Sequence, residues 1–245
     1  MDNLLGEFMG TMVLMVFGVG VNATLNLEKS YGKGGGWICT AWGWGLAVLL
    51  PACIFGTASG AHFNPALTIA LAAFAGFDWA LVPGYIIAQI AGAFVGGIIV
   101  YLLFKGQFDA TEDAGTKLGV FSTGPAIPNM GLNILSEAVG TFILVFAICG
   151  LGQVTNCAPG ADKLIVFGII VSIGMSLGGL TGYAINPARD LGPRLAHAVL
   201  PIKGKGSSNF GYGLIVPIIG PILGGLAGSG LYKLLTDVFN IAIGG

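Results

Sequence analysis

Six long apolar segments alternate with short polar or glycine-rich connections along the chain. The segments cover about residues 4–25, 37–56, 80–104, 132–152, 164–181 and 211–235. A helix that crosses a membrane needs about 20 predominantly apolar residues, and these segments supply that length. Most charged residues lie in the connections, as in 28–33 and 109–117. The pattern therefore predicts six membrane-spanning helices.

The composition agrees with a membrane location for most of the chain. Hydrophobic residues make up 55% of the sequence and charged residues 9%, whereas soluble proteins carry about 25% charged residues. So few charges cannot coat the surface of a soluble protein of this size. The 43 glycines follow no Gly-X-Y repeat, and the net charge of −1 says little about partners. The composition excludes collagen, disorder, a nucleic-acid binder and a disulfide-stapled secreted domain, and indicates an integral membrane protein.

No residue pattern typical of an enzyme or a metal centre occurs in the sequence. The four cysteines lack the spacing of metal ligands and are expected to pack as small hydrophobic side chains. They are Cys39, Cys53, Cys149 and Cys157. A phosphate-binding Gly-x-x-x-x-Gly-Lys-Ser/Thr segment is also missing. We therefore expect no catalysis, no metal and no cofactor.

The two halves of the chain repeat each other. Residues 5–11 match residues 135–141, with Glu, Gly and Thr in register. Residues 60–66, Gly-Ala-His-Phe-Asn-Pro-Ala, match residues 182–188, Gly-Tyr-Ala-Ile-Asn-Pro-Ala. Because each half contains an odd number of spans, the halves have opposite orientations in the membrane. The predicted organisation is one transmembrane domain, residues 1–245, with inverted repeats at about 1–105 and 132–245.

Each copy of Asn-Pro-Ala opens an apolar segment that is too short to span a membrane. A helix starting at Pro65 reaches about Phe74, and one starting at Pro187 reaches about Ala198. Each is about 15 Å long, half of a hydrocarbon core of about 30 Å. Two inverted half-helices can meet at the midplane, where irregular backbone is tolerated if it lines water. The predicted fold class is an all-α membrane protein with six transmembrane helices and two re-entrant half-helices around a pore.

The first candidate site consists of the two Asn-Pro-Ala triplets, Asn64-Pro65-Ala66 and Asn186-Pro187-Ala188. Asparagine is a good N-cap, and proline suits the first helical position. If each side-chain oxygen bonds its own helix, each amide NH2 group is free to orient a solute oxygen in the lumen. The positive ends of both helix dipoles also face the lumen and repel cations and protons. The alternative is two ordinary loop-to-helix turns, which the inverted repetition disfavours.

The non-helical residues before each asparagine leave carbonyl oxygens free to replace the hydration of a solute. They are Gly60, Ala61, His62 and Phe63 in the first half and Gly182, Tyr183 and Ala184 in the second. We expect these carbonyls to form one wall of the pore. The His62 side chain is expected to be a hydrogen-bonded loop residue, with a proton-conducting switch as the alternative.

Arg189, Glu7 and Glu137 place charge inside the predicted membrane segments. Arg189 is costly at that depth unless it faces the pore or a partner, and we expect it to supply fixed donors and repel cations. A salt bridge from Arg189 to Asp190 is the alternative. Glu7 and Glu137 are expected to accept hydrogen bonds from the re-entrant loops, since no nucleophile or metal ligand accompanies either carboxylate.

These motifs resemble those of the major intrinsic protein family, the aquaporins and aquaglyceroporins. The resemblance covers nearly the whole chain and rests most specifically on residues 59–66 and 186–190. It implies a right-handed bundle that assembles as a homotetramer with one pore per subunit. It also implies a multi-pass protein of the cell membrane with both termini in the cytoplasm, although the distribution of lysines favours the reverse orientation. The short tails and compact connections are typical of a bacterial protein.

The resemblance also implies a selectivity filter, made of Trp44, Gly174, Tyr183 and Arg189. Water-selective members usually carry histidine where this chain has Gly174, so the glycine implies a wider opening. An apolar corner of Trp44 and Tyr183 would face the donors of Arg189, which suits a polyol with C–H groups on one edge and O–H groups on the other. Glycerol-conducting members typically have Phe in place of Tyr183, and the added hydroxyl is expected to make the corner more polar and slightly narrower.

Asp190 and Arg194 further resemble the glycerol-conducting branch of the family. The implied function is a passive channel for glycerol, other small uncharged solutes and water, which excludes ions and protons. Alternatives of the same fold are a water-selective channel, or one for urea, dihydroxyacetone or protonated lactic acid. A gradient-coupled transporter with broken helices and a membrane enzyme lack the coupling or catalytic residues they would need. The expected partners are the solute, water and membrane lipid, with no nucleic acid.

Overall fold

The computed structural model describes residues 1–151, 158 and 160–241. These ranges contain helices and no strand. Their eleven α-helices are α1 (Asp2–Asn26), α2 (Gly36–Ser59), α3 (Pro65–Phe74), α4 (Val82–Leu103), α5 (Lys105–Ala110), α6 (Ala114–Phe121), α7 (Met130–Leu151), α8 (Ala161–Leu177), α9 (Pro187–Val199), α10 (Phe210–Gly213) and α11 (Val216–Lys233). A 3₁₀ turn, Trp79–Leu81, leads into α4, and a π-helix, Leu234–Val238, continues α11.

Most of the predicted spans are long apolar helices in the structure. Within the described residues, five helical stretches are long and apolar enough to cross a membrane: Asp2–Asn26, Gly36–Ser59, Trp79–Leu103, Met130–Leu151 and Phe210–Val238. Residue 152, the predicted end of the fourth span, lies outside the described residues.

The fifth predicted span differs from the expectation in its bounds. Helix α8 has 17 residues and is therefore about 26 Å long at 1.5 Å per residue. It begins before residue 164 but ends at Leu177 instead of residue 181, because the chain turns at Gly178 and Gly179.

The two half-helices begin at the prolines of the Asn-Pro-Ala triplets. Helix α3 has 10 residues and ends at Phe74 as predicted, and α9 has 13 residues and extends one residue past Ala198. The structure thus contains six long helices and two half-helices among its described residues, in the predicted order.

Each half-helix packs on the last long helix of the opposite repeat. The long helices form the equivalent pairs α1 with α4 and α7 with α11, while α3 lies against α11 and α9 against α4. Glycines allow these contacts: an added side chain at Gly92 would overlap the Phe8 carbonyl, and one at Gly224 the Ala138 carbonyl. Small residues at helix interfaces are typical of membrane proteins, where close backbone packing replaces hydrophobic burial. The interlocked repeats bring both triplets to the centre of the bundle.

The cysteines differ in part from the expected packing. Cys39, Cys53 and Cys149 are free thiols, and Cys157 lies outside the described residues. Cys149 is half-buried, whereas Cys39 and Cys53 are exposed on α2. The reason is helical spacing, since both cysteines share the outward face of α2 with the exposed side chains of Trp42, Leu46 and Leu50.

Candidate functional site

The two triplet asparagines cap the half-helices. The Asn64 side-chain oxygen accepts a hydrogen bond from the backbone N–H of Ala66 at 2.9 Å. The Asn186 oxygen accepts from the N–H groups of Ala188 and Arg189 at 3.0 and 3.2 Å. Each following proline occupies the start of the helix, where no N–H donor is required. The local sequence therefore fixes where both half-helices begin.

The two triplets are also bonded to each other. The Asn64 amide NH2 donates to the carbonyl oxygen of Ile185 at 2.9 Å, and the Asn186 NH2 donates to that of Phe63 at 2.8 Å. An amide has two N–H hydrogens, so each asparagine retains one for the cavity that both side chains line. The pair therefore links the two repeats by hydrogen bonds and also supplies two donors to the cavity.

Alternate residues of the two re-entrant loops adopt left-handed backbone. The φ angle is +55° at Ala61 and +48° at Phe63, and it is +38° at Tyr183 and +43° at Ile185. Residues other than glycine enter this region at a cost of about 1–3 kcal/mol each. The loops must therefore be held by contacts elsewhere, and both repeats share this requirement.

Six of the seven carbonyl oxygens predicted to line the pore accept no hydrogen bond from any described residue. They belong to Gly60, Ala61, His62, Gly182, Tyr183 and Ala184. The Phe63 carbonyl departs from the prediction, because the Asn186 amide occupies it. Free carbonyls are tolerated at membrane depth where they line a water-filled path. The two loops thus carry matching sets of acceptors.

Glu7 anchors the first loop next to the residues with left-handed backbone. One carboxylate oxygen accepts from the Ser59 hydroxyl at 2.7 Å and from the His62 N–H at 3.0 Å. The other accepts from the Phe63 N–H and the Gln89 amide, both at 2.7 Å. The side chain is fully buried, and hydrogen bonds to a charged group are about twice as strong as neutral ones. Its contacts are those of a loop-holding residue.

Glu137 performs the equivalent task in the second half. Its carboxylate accepts from the Thr181 hydroxyl at 2.7 Å and from the N–H groups of Ala184 and Ile185 at 2.9 and 2.7 Å. Ile185 is one of the residues with left-handed backbone. These bonds offset the conformational cost of the loop, so the two glutamates are matched anchors of the re-entrant segments.

The His62 side chain is a hydrogen-bonded part of the first loop. Its Nδ1 atom lies 3.1 Å from the Thr68 hydroxyl. Its ring packs against those of Phe77 and Tyr85, with centroids 4.6 and 5.1 Å away. His62 also lines the central cavity described next. These contacts fit the expected loop role.

Two cavities follow one another along the bundle. The central cavity has a volume of about 70 Å³ and is lined by both Asn64 and Asn186. The vestibule has a volume of about 420 Å³ and lies among the end of α1, the start of α2, and α6. Three residues line both cavities, namely Trp44, Tyr183 and Arg189. We call these three residues the constriction.

Arg189 faces the cavities and is not paired with Asp190, which was the alternative. Its guanidinium carbon lies 3.7 Å above the ring centroid of Trp44, a cation–π contact. Its Nη1 atom lies 3.5 Å from the carbonyl oxygen of Phe121. Among the described residues, none of the ion pairs involves Arg189. The guanidinium therefore retains donors and a positive charge for the lumen.

Gly174 contributes to the site by making room for Tyr183. A side-chain carbon at Gly174 would lie 2.8 Å from Cζ and 2.9 Å from the hydroxyl oxygen of Tyr183. The indole N–H of Trp37 donates to the Gly174 carbonyl at 2.8 Å, and its ring packs edge-on against Tyr183. We call the space beside Gly174 that holds the phenol end the Gly174 notch.

The position of the Tyr183 hydroxyl corrects one prediction. Its oxygen is buried and has no hydrogen-bond partner among the described residues. Because it lies in the Gly174 notch, it adds no polar atom to the lumen, and the predicted increase in polarity at this corner was wrong.

Replacing Tyr183 with phenylalanine tests this placement. We expect Tyr183→Phe to leave the ratio of glycerol to water permeability unchanged and to raise the free energy of unfolding, by up to about 1–3 kcal/mol, because an unpaired buried hydroxyl is removed. Unfolding in detergent and permeability of proteoliposomes measure the two effects. The matched control is Tyr101→Phe, since the buried Tyr101 hydroxyl donates to the Pro201 carbonyl at 3.2 Å. A Tyr183→Phe variant that is less stable than the unaltered protein would contradict the placement.

Asp190 and Arg194 form a fully buried ion pair beside the constriction. Arg194 Nε donates to one Asp190 oxygen at 2.7 Å, and Nη2 donates to the other at 3.0 Å. Both side chains have 0% exposure. Asp190 also accepts from the backbone N–H and the hydroxyl of Thr123, each at 2.7 Å. Arg194 donates to the Ser208 carbonyl at 2.7 Å. The pair therefore fixes the first turn of α9 to two connecting segments.

Two amide side chains of the site were not predicted from the sequence. Gln89 donates to Glu7 and to the Thr68 hydroxyl at 2.7 and 3.0 Å. Asn22 accepts the indole N–H of Trp44 at 3.1 Å. A signal for both was present, because each is an amide inside an otherwise apolar span, and a buried amide needs partners.

Comparison with known proteins extends these observations. The sequence profile of the family described as Major intrinsic protein matches residues 1–232. A Glycerol uptake facilitator protein of Bacillus subtilis is 55% identical over 228 residues, which are 93% of this chain and 82% of the relative. A Probable glycerol uptake facilitator protein of Thermotoga maritima is 52% identical over 235 residues, which are 96% of this chain and 100% of the relative.

A solved structure confirms the all-α fold class. The X-ray structure of the aquaglyceroporin from Plasmodium falciparum superposes with a TM-score of 0.81 and 30% sequence identity. The match covers 97% of this chain and 95% of that one. The agreement therefore extends over nearly the whole length of both chains.

Proposed function

Because the chain belongs to the major intrinsic protein family, we propose that it is a passive transmembrane channel for glycerol, other small uncharged solutes and water. The observation that carries the proposal is the constriction. It combines the aromatic rings of Trp44 and Tyr183 with the Arg189 guanidinium, which lies 3.7 Å above the Trp44 ring centroid. A polyol that enters with its carbon edge on the rings can turn its hydroxyls toward the guanidinium.

The path beyond the constriction also offers polar groups to the solute. The free loop carbonyls accept hydrogen bonds from solute hydroxyls, and the remaining N–H groups of Asn64 and Asn186 donate to solute oxygens. A solute loses its water shell only where protein groups replace it, which keeps the barrier low. Conduction requires no bound energy source and no covalent step.

Ions and protons are excluded by charge in this proposal. Arg189 places a permanent positive charge at the constriction. The N-termini of α3 and α9 add positive partial charge at the two asparagines. A cation that lost its hydration would meet three positive centres in sequence. An uncharged solute is not subject to this barrier.

The names of the relatives favour glycerol over water alone. Both bacterial relatives carry glycerol uptake in their names, and the structural relative is an aquaglyceroporin. The apolar corner offers the same preference on physical grounds, because water gains nothing from contact with Trp44. The described constriction therefore supports a polyol channel through which water also passes.

The proposed setting is the cell membrane of a bacterium, with both termini in the cytoplasm and four subunits per assembly. Bacterial relatives support the source. Many large apolar side chains are exposed on the long helices, as expected where lipid or other subunits cover them. Native mass spectrometry in detergent tests the assembly: tetramers are expected, and monomers alone would contradict them.

Stopped-flow light scattering of proteoliposomes tests the function. After a sucrose shock the vesicles should shrink faster than empty liposomes, and after a glycerol shock they should shrink and then re-swell rapidly. Urea and dihydroxyacetone, tested in the same way, define the solute range. Fast shrinkage without accelerated glycerol re-swelling would instead indicate a water-selective channel and would refute the interpretation of the constriction.

A further inference from the structure

Asn22 joins three elements at the mouth of the constriction. Its side-chain oxygen accepts the indole N–H of Trp44 at 3.1 Å. Its amide NH2 donates to the carbonyl oxygens of Val120 and Gly119 at 3.2 and 3.5 Å. The residue is 6% exposed and lines the vestibule. One amide therefore connects α1 to the indole of α2 and to the end of α6.

The same end of α6 reaches the opposite side of the constriction. The Phe121 carbonyl, one residue after Val120, lies 3.5 Å from Arg189 Nη1. The guanidinium lies in turn 3.7 Å above the Trp44 ring. The contacts thus form a closed circuit, from Asn22 to the indole, to the guanidinium, to α6 and back to Asn22.

The circuit determines the angle of the indole. The ring packs against Gly18, where an added side chain would overlap it, so α1 offers a flat surface at this point. A flat surface fixes the plane of a ring but not the direction of its N–H group within that plane. The N–H bond to Asn22 supplies a directional restraint, because an indole has one donor and that donor is used here.

We propose that Asn22 is a positioning residue that sets solute selectivity by fixing the Trp44 ring at the constriction. The inference rests on the proposed function, since it concerns which solutes pass. A solute contacts the indole and the guanidinium, while Asn22 acts on it through the indole. Without the bond, the ring turns into the lumen, and glycerol is hindered more than water because glycerol is the larger solute.

The test compares glycerol and water permeability of proteoliposomes containing Asn22→Leu, a substitution of similar volume. We expect the ratio of glycerol to water permeability to fall by about three- to tenfold, the effect of losing one buried hydrogen bond. A ratio is used because poor folding or low incorporation lowers both permeabilities together. An unchanged ratio would overturn the proposal.

The matched control is Asn26→Leu. Asn26 lies one turn further along α1, lines the same vestibule, and donates to the Asn22 backbone carbonyl at 2.8 Å, while the indole N–H bonds Asn22 and not Asn26. Its replacement should leave the ratio unchanged. An equal fall in both variants would show that vestibule polarity, and not the indole, sets the ratio, and this would also overturn the proposal.

A double-mutant cycle locates the effect at the indole. Trp44→Phe removes the N–H donor and retains an aromatic ring, so Asn22→Leu should have little further effect on the ratio in that background. Additive changes would contradict action through Trp44.

If the unaltered protein conducts no glycerol above empty liposomes, the proposed function fails. The ratio of urea to water permeability then tests Asn22 independently, with the same expected direction.

Discussion

Replacing Gly174 with histidine is expected to reduce glycerol permeability by about tenfold or more while water continues to pass. Even the first side-chain carbon would lie 2.8 Å from Tyr183 Cζ and 3.1 Å from the Ala41 methyl group. The Tyr183 ring must then leave the Gly174 notch and move into the constriction. Overpacking of this kind costs about 1–3 kcal/mol. An increase of about 1.4 kcal/mol in the barrier to permeation lowers the rate tenfold. The measurement is glycerol and water permeability in proteoliposomes.

Two further variants identify the cause of that loss. Gly168→His places the same side chain on α8 where the space beside the backbone is open, and it should leave glycerol permeability unchanged. Gly174→His combined with Tyr183→Ala removes the displaced ring and should restore part of the glycerol permeability. Unaltered glycerol flux in Gly174→His, with the protein folded, would remove Tyr183 from the constriction and would refute the role of Gly174 in placing its ring.

Replacing Asp190 with asparagine is expected to lower the free energy of unfolding by about 3–5 kcal/mol, the cost of leaving a buried charge without its partner. The substitution leaves the Arg194 guanidinium buried with no carboxylate beside it. It also weakens both bonds from Thr123. Since Asp190 follows Arg189 directly, solute flux should fall as well. Reversible unfolding in detergent measures the stability.

The control for this prediction is an exposed ion pair. Asp162 lies 2.8 Å from Lys163 on the outside of α8, and Asp162→Asn should change stability by about 0–1 kcal/mol. The double variant Asp190→Asn with Arg194→Met should recover part of the lost stability, because the unpaired buried charge of Arg194 is removed. Equal stability of Asp190→Asn and the unaltered protein would disprove the buried pair.

Features that depend on local sequence were predictable. Asn64 and Asn186 each precede proline, and that dipeptide alone specifies a capped helix start. The six apolar segments predicted the long helices, and the repeat around Glu7 and Glu137 predicted two similar halves. The anchoring role expected for both glutamates also follows from local sequence, since a carboxylate in an apolar span needs donors nearby.

Features that depend on contacts between distant segments were not predictable. The amides of Asn64 and Asn186 reach across to the opposite loop, and no local pattern encodes that exchange. The sequence left open a pair between Arg189 and Asp190, whereas in the structure Asp190 pairs with Arg194, four residues further along α9. The notch that holds the Tyr183 hydroxyl arises where α8, α2 and the second loop meet.

The most direct test of passive conduction is the dependence of glycerol entry on glycerol concentration, measured by light scattering of proteoliposomes with and without a proton gradient. An open path through the constriction predicts an initial rate that rises linearly with concentration and is indifferent to the gradient. A rate that saturates well below the highest concentration, or that responds to the gradient, would contradict a channel and would indicate a carrier that changes conformation with each solute.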